Sequence, residues 1–331
     1  MQHPTRRALL GASLALPMAG TAFGPGGRAF AAAPFRNDAS PGWHRFRIGG
    51  FEATILSDGA IGFPPALMVP EAPAGEPERL LAERLLPTDR VVLELNALVV
   101  NTGRQLILFD TGMGSSMADV PDAVPPGTGR LATNLRAAGI EPAQIDLVCL
   151  THAHSDHCWG LADAAGAPVF PNAQVAIAEA DLRFWTDEGN RAGLGPFGAM
   201  IDGARKNLGA YRDRLVMVRD GQEVAPGIQV LATPGHTVGH VSYAVTSGNQ
   251  ALVNLGDVVH HPLQLRRPGW KMAFDTDPDR GIATRRRVLD QLSTDRVPAL
   301  VYHFAWVGAG HVVRGADGYG WMPLALSAGL P

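Results

Sequence analysis

A largely apolar run, Ile145 to Leu150 with Asp146 inside it, passes directly into Thr151-His152-Ala153-His154-Ser155-Asp156-His157. The first part reads as a buried strand. The second places three imidazoles and a carboxylate within six residues at its end. Imidazole and carboxylate together suit zinc, iron, manganese or cobalt. The two-residue side-chain period of an extended chain puts His152 and His154 on the same side. Asp156 and His157 lie just beyond, where the chain can turn them toward a second ion.

Other β-rich runs end in the same kinds of residue. Ile228–Ala232 leads through Thr233-Pro234-Gly235 to His236. Ala251–Leu255 leads through Gly256 to Asp257, and Ala299–Tyr302 leads to His303. Gly235 and Gly256 suit places where backbone must come close to a crowded site. Seven nitrogen or oxygen ligands at four strand ends are the number two ions need when one carboxylate bridges them.

Around these runs, Phe46–Ile48 and Phe51–Leu56 read as a hairpin about Gly49-Gly50, and Val91–Asn101 and Gln105–Phe109 as a second about Thr102-Gly103. Ser57-Asp58-Gly59 reads as a turn, and Gly62 to Gly75 as a long loop of the kind that often serves as a lid. Short helices are expected over Glu78–Leu86 and Arg130–Ala138. Asp277-Pro278 opens a further helix to Leu292, with Asp as N-cap and Pro in the first turn. Strands dominate, helices are interspersed and no linker divides the chain, so a single α/β domain is expected.

Residues 1–33 read as an address. Thr5-Arg6-Arg7-Ala8-Leu9-Leu10 opens an apolar stretch to about Ala22, and Arg28-Ala29-Phe30-Ala31-Ala32-Ala33 ends in small residues. That is the pattern of an export signal, and the paired arginines resemble a twin-arginine signal. Its removal would leave a periplasmic or secreted domain, 34–331, and would change the balance of 28 basic and 31 acidic residues to 25 against 31, or -6. Such a charge argues against nucleic acid as a partner. No apolar run reaches the length of a membrane span, and two cysteines cannot make a disulfide framework.

Taken together, the H-x-H-x-D-H motif (His152, His154, Asp156, His157), His236 in Thr-Pro-Gly-His-Thr, Asp257 in Leu-Gly-Asp and His303 resemble the metallo-β-lactamase-fold hydrolases. The stretches Asp110-Thr111-Gly112, Phe184-Trp185, Phe274-Asp275-Thr276-Asp277 and His303 through His311 resemble the methyl parathion hydrolase and acyl-homoserine lactonase branch. The resemblance implies a four-layer αββα sandwich with metals at one edge of the two sheets. It implies one ion on His152, His154 and His236, another on Asp156, His157 and His303, and a bridging Asp257 beside a bridging hydroxide. Asp156 and Asp257 then belong to the catalytic centre, and Asp110 supports it from behind. His260, three residues past Asp257, is placed by its spacing to face the site as a supporting or substrate-binding group. Zinc is the first expectation for both divalent ions. Manganese, iron and cobalt are also compatible.

Trp185, Phe197, Phe304 and Trp306 are aromatics in or beside loops near the ligand-bearing segments, and are expected to line a pocket for an apolar or aryl group. No Arg or Lys stands out as a carboxylate clamp, so the expected substrate is a small neutral ester-like molecule: a lactone, aryl ester or phosphotriester. A homodimer is compatible with the sequence. Two other readings are open: a β-lactamase-type hydrolase, which the bridging Asp257 disfavours, and a non-catalytic zinc-binding protein, which would use the same seven ligands. Cys158 and Trp159 depart from the family pattern, which has smaller residues before Gly160.

Overall fold

A computed structural model describes residues 42–120, 122–325 and 330. The export-signal reading of 1–33 lies outside the described residues. Among the described residues fourteen strands form two seven-stranded sheets. The first contains β1 (Trp43–Ile48), β2 (Phe51–Phe63), β3 (Val91–Asn101), β4 (Leu106–Phe109), β5 (Leu147–Cys149), β6 (Gln174–Ala178) and β7 (Leu215–Val218) in sequential order. The second contains β8 (Glu223–Ala225), β9 (Ile228–Ala232), β10 (Val241–Ser247), β11 (Gln250–Asn254), β12 (Ala299–Leu300), β13 (Ala309–Gly315) and β14 (Gly318–Pro323), also sequential. β1 to β4 are antiparallel and β4 to β7 parallel. In the second sheet β11 and β12 are the parallel pair.

Side-chain alternation explains the layers. Along β4 and β5, Ile107, Phe109, Leu147 and Cys149 point into a core shared with Val230, Tyr243, Val245 and Leu252 of the other sheet. Their neighbours Leu108 and Val148 point the opposite way, onto Leu131, Leu135, Ile201 and Leu208 of the helices Leu131–Ala137 and Ala199–Gly209. On the far side, Leu255, Val301 and Val312 meet Val288, Leu289 and Leu292 of the helix Pro278–Asp295. Strands buried on both faces read as continuous apolar runs. The result is the αββα order that the resemblance implied.

Several local expectations are corrected. Ser57-Asp58-Gly59 is a bulge within one long strand, because β2 continues to Phe63 with a register shift against β3. The buried Asp58 carboxylate there accepts the backbone N–H groups of Met113, Gly129 and Leu131, which ties down the 113–131 connection. Residues 62–75 are not a free lid. Pro65–Met68 is a helical turn, and Met68 and Val69 are buried with Leu80, Leu81, Leu263 and Met272. The next helix is Glu76–Glu83 and the last runs to Asp295. β5 is shorter than its apolar run because Asp146 leaves the strand, its carboxylate accepting the Leu106 N–H.

Candidate metal centre

β5, β9, β11 and β12 end at the same edge, and each hands on a polar residue within a few positions of its last strand residue. Ligand atoms of His152, His154, His236 and Asp257 lie within 4.8 Å of one another, and so do those of Asp156, His157 and His303. His236 Nε2 is 2.9 Å from His154 Nδ1 and 3.3 Å from Asp257 Oδ2. His303 Nε2 is 3.1 Å from Asp257 Oδ2 and 3.5 Å from Asp156 Oδ2. His157 Nε2 is 3.3 Å from Asp257 Oδ1. Asp257 thus sits between the two groups, and all seven side chains are buried.

The outward nitrogens are held by the protein. Asp110 Oδ2 is 2.9 Å from His157 Nδ1, and Asp275 Oδ1 is 2.9 Å from His236 Nδ1. The Glu94 carbonyl is 2.9 Å from His303 Nδ1, and Thr151 Oγ1 is 3.0 Å from His152 Nδ1. Asp110 can serve because β4 and β5 are parallel neighbours and end together. Carboxylates and carbonyls behind a histidine fix its ring and tautomer and leave the other nitrogen free to coordinate. Asp181, on the helix Glu179–Thr186, accepts Ala153 N–H at 2.8 Å and Gly239 N–H at 3.1 Å, so it fastens the 151–157 loop to the 233–240 loop. His240 accepts the Asp257 N–H at 2.9 Å and is a structural partner of that loop.

Inward, the accounting is different. His152 Nε2, His157 Nε2 and Asp257 Oδ1 are buried without a hydrogen-bond partner. Buried polar atoms without partners are rare, and here they converge on one point. Burial alone would push the Asp257 carboxyl up, but the charges of His157, His303 and His260 hold it well below the usual carboxylate range. Burial opposes charge on His157 and His236 too, yet Asp257, Asp156 and Asp110 hold the first well above its ordinary value and Asp257 and Asp275 hold the second up at about 9, so a cation bound there would displace their protons. His152 and His154 are pushed well below theirs, by burial first and then by neighbouring histidines. A neutral imidazole is the ligating form. The donor set therefore fits divalent cations of borderline softness, zinc first.

A chamber of about 160 Å³ opens over this cluster, lined by Leu93, Asp156, Phe197, His260, Phe274 and His303 among others. A second, of about 360 Å³, shares His154, Phe197, Met200 and Phe274 with it and extends to Phe184, Trp185 and Leu194. Among the described residues neither is lined by a Lys or Arg. Trp185 packs edge-on against His154 with ring centroids 4.7 Å apart. His260 faces the smaller chamber, with Nε2 3.2 Å from Asp257 Oδ2 and neither ring nitrogen hydrogen-bonded. Trp185 and Phe197 thus lie where the sequence suggested. Phe304 and Trp306 do not. Phe304 is buried against Trp321 in the core behind the second sheet, because its neighbour His303 takes the site-facing position. Trp306 is 41% exposed and lines neither chamber. Cys149 and Cys158 are both buried free thiols, and Trp159 packs beneath the metal loop against Gly203.

Comparison with known proteins agrees with this geometry. The sequence profile of the Metallo-beta-lactamase superfamily matches residues 91–303, a span that holds all seven residues. The chain belongs to this superfamily. An N-acyl homoserine lactonase of Bacillus cereus is 27% identical over 185 residues, 52% of this chain and 66% of that protein. A protein of Mycobacterium tuberculosis named as a probable metallo-hydrolase is 24% identical over 201 residues, and the match spans 58% of its length. Among solved structures, the dizinc quorum-quenching lactonase AidC superposes with a TM-score of 0.80 at 28% identity, covering 86% of this chain and 98% of that one. The superfamily hydrolase AbOPH does so with 0.79 at 27% identity, covering 87% and 99%.

Proposed function

We propose that this chain is a dinuclear metallohydrolase that opens neutral ester-like substrates carrying an apolar tail, with lactones first and aryl esters or phosphotriesters next. One observation carries the reading: buried, partnerless ligand atoms converge beneath a chamber whose walls are apolar and free of Lys and Arg. A carboxylate substrate would ask for a cation in that wall. An N-acyl lactone or aryl ester asks for what is there, a polar floor beside a side chamber that carries Phe184, Trp185, Leu194 and Phe197 together with Asn190 and Thr276. The names of the related lactonases agree with lactones as the first substrate class.

His152, His154 and His236 would hold one divalent ion, Asp156, His157 and His303 the other, with Asp257 shared. When bound, the ions make a nucleophile of water at neutral pH and polarise the oxygen of the scissile group. The chain's own residues do the rest. Asp110, Asp275 and the Glu94 carbonyl keep three of the imidazoles oriented. Phe197, Met200 and Phe274 divide the two chambers, so a tail entering the larger one leaves its reactive end over Asp257. His260 lines the smaller chamber with Nε2 3.2 Å from Asp257 Oδ2, so its ring borders the reactive end of the substrate.

The test is a panel on metal-analysed protein: acyl-homoserine lactones of graded chain length, a nitrophenyl ester, a paraoxon-type triester and a cephalosporin, each with and without chelator. Chelator-sensitive lactone or ester turnover is expected. Two bound metals with no turnover of any of these would favour a zinc-binding protein, and cephalosporin turnover alone a β-lactamase. Export by the twin-arginine route belongs to the same reading. Cell fractionation, with and without replacement of Arg6 and Arg7 by lysine, tests it.

A further inference from the structure

The helix Pro278–Asp295 carries an arginine that the metal site alone does not account for. Arg285 is 1% exposed. Its Nε donates to the Val258 carbonyl at 3.0 Å, and its Nη1 to the carbonyls of Pro268 and Trp270 at 3.1 and 2.8 Å. Its Nη2 lies 3.6 Å from Asp275 Oδ2, an oxygen with no hydrogen-bond partner. The other Asp275 oxygen is the one that meets His236 Nδ1.

A buried guanidinium is costly unless it is paired and its donors are used. This one is engaged at both ends of residues 257–275. Val258 adjoins Asp257, and Trp270 leads toward Asp275. Arginine suits the task because its fork is planar and its donors have fixed directions. A lysine in the same place could not reach three carbonyls and a carboxylate together. Asp275 in turn sits on a loop that the guanidinium restrains through Pro268 and Trp270, so the carboxylate reaches His236 from a fixed angle.

We propose that Arg285 is a positioning residue for the metal centre: through Asp275 it sets the orientation and tautomer of His236, and so sets how tightly the ion on His152, His154 and His236 is held. Arg285 touches none of the seven ligands and lines neither chamber. The inference rests on the metal-site reading above, and partners behind a metal-binding histidine commonly change metal affinity by roughly ten- to a hundredfold.

The experiment is a double-mutant cycle read by zinc binding. Wild type, Arg285→Met, Arg285→Lys, Asp275→Asn and the two double variants are stripped of metal. Each is titrated with zinc chloride against a colorimetric chelator, and thermal unfolding of each metal-free protein is recorded alongside. Wild type is expected to take up two zinc ions. Arg285→Met should weaken one of the two steps by about tenfold, and Arg285→Lys should weaken it less. In the Asp275→Asn background, changing Arg285 should add little to the loss on that step. Wild-type zinc competition in both Arg285 variants would overturn the proposal. So would an Arg285 effect that persists in full without the Asp275 charge, because a merely structural strut would behave that way. If Arg285→Met does not fold, Arg285→Lys carries the cycle under the same criteria. A wild-type protein that binds no zinc would instead bring down the metal-site reading itself.

Discussion

Asp257 is the carboxylate that the two halves of the cluster share. Its two oxygens lie within 3.3 Å of nitrogens on His157, His236, His260 and His303. Replacing it with alanine removes the shared carboxylate and leaves those rings facing one another across a buried space. Asp257→Ala and His152→Ala should both lose bound metal and turnover by at least a hundredfold, read by elemental analysis and rate. Full activity in either metal-depleted variant would refute the assignment. Asp110 tests the layer behind. Its carboxylate meets His157 Nδ1 and also accepts from Thr151 N–H and Oγ1–H. Asp110→Asn keeps the shape but changes the acceptor, so metal affinity should fall about tenfold or more while the fold persists. His260 separates chemistry from metal binding. His260→Phe is expected to keep two metals and to lower kcat at least tenfold. Unchanged kcat would mean that His260 only fills space beside Asp257.

At the scale of elements, the helix Ala199–Gly209 supports the loop that follows β5. Gly203 lets the Trp159 ring lie against it: a Cβ at 203 would stand 2.1 Å from Trp159 Cε2 and Nε1. Gly203→Ala must therefore displace the helix or the indole. Overpacking of this kind costs about 1–3 kcal/mol, and the pressure falls on the 151–159 loop. A lowered Tm together with weaker metal retention is expected. A Tm equal to wild type would show that the indole has room to move. The same contact shows what could and could not be read from sequence. The H-x-H-x-D-H loop was legible because strand and ligands are adjacent along the chain, and His236, Asp257 and His303 because each follows its strand within a few residues. Trp159 against Gly203, Asp181 across Ala153 and Gly239, and Arg285 behind Asp275 were not legible. Their partners lie far off in sequence, and a buried Asp or Arg on a helix looks like an ordinary solvated charge until the packing is known. Phe304 misled for a related reason. It follows a ligand in the turn after β12, and in a turn neighbours in sequence can pack on different sides, here Phe304 against Trp321.

Over the whole molecule, buried titratable groups set how stability responds to acid. Burial holds the His240, His260 and His261 imidazoles down, at about 3, 4 and 4, and moves His152 and His154 the same way. A histidine whose folded value lies below its unfolded one adds stability that is complete above pH 6.5 and is lost as pH falls through the folded value. Burial pushes the Asp58 and Asp181 carboxyls up to about 6. Their contribution runs the other way: it is complete below about pH 3.8 and is lost as pH rises through 6. Between pH 6.5 and 4 the two sets oppose. His157 and His236, held above their ordinary values, side with the carboxyls, but most of their contribution is already in place at pH 6.5, so the five depressed histidines set the direction. Metal-free protein should therefore lose stability as pH drops from 7 to 4.5, measured as a falling urea midpoint. His261 isolates the effect, because it is buried away from the seven ligands and caps the helical turn Pro262–Arg266. Its displacement corresponds to about 3 kcal/mol across that window. His261→Gln can still accept the Leu263 N–H and cannot titrate there, so its urea midpoint should fall with pH less steeply than wild type. An identical slope would mean that the imidazole finds water before it charges, and that the acid sensitivity lies in the metal cluster.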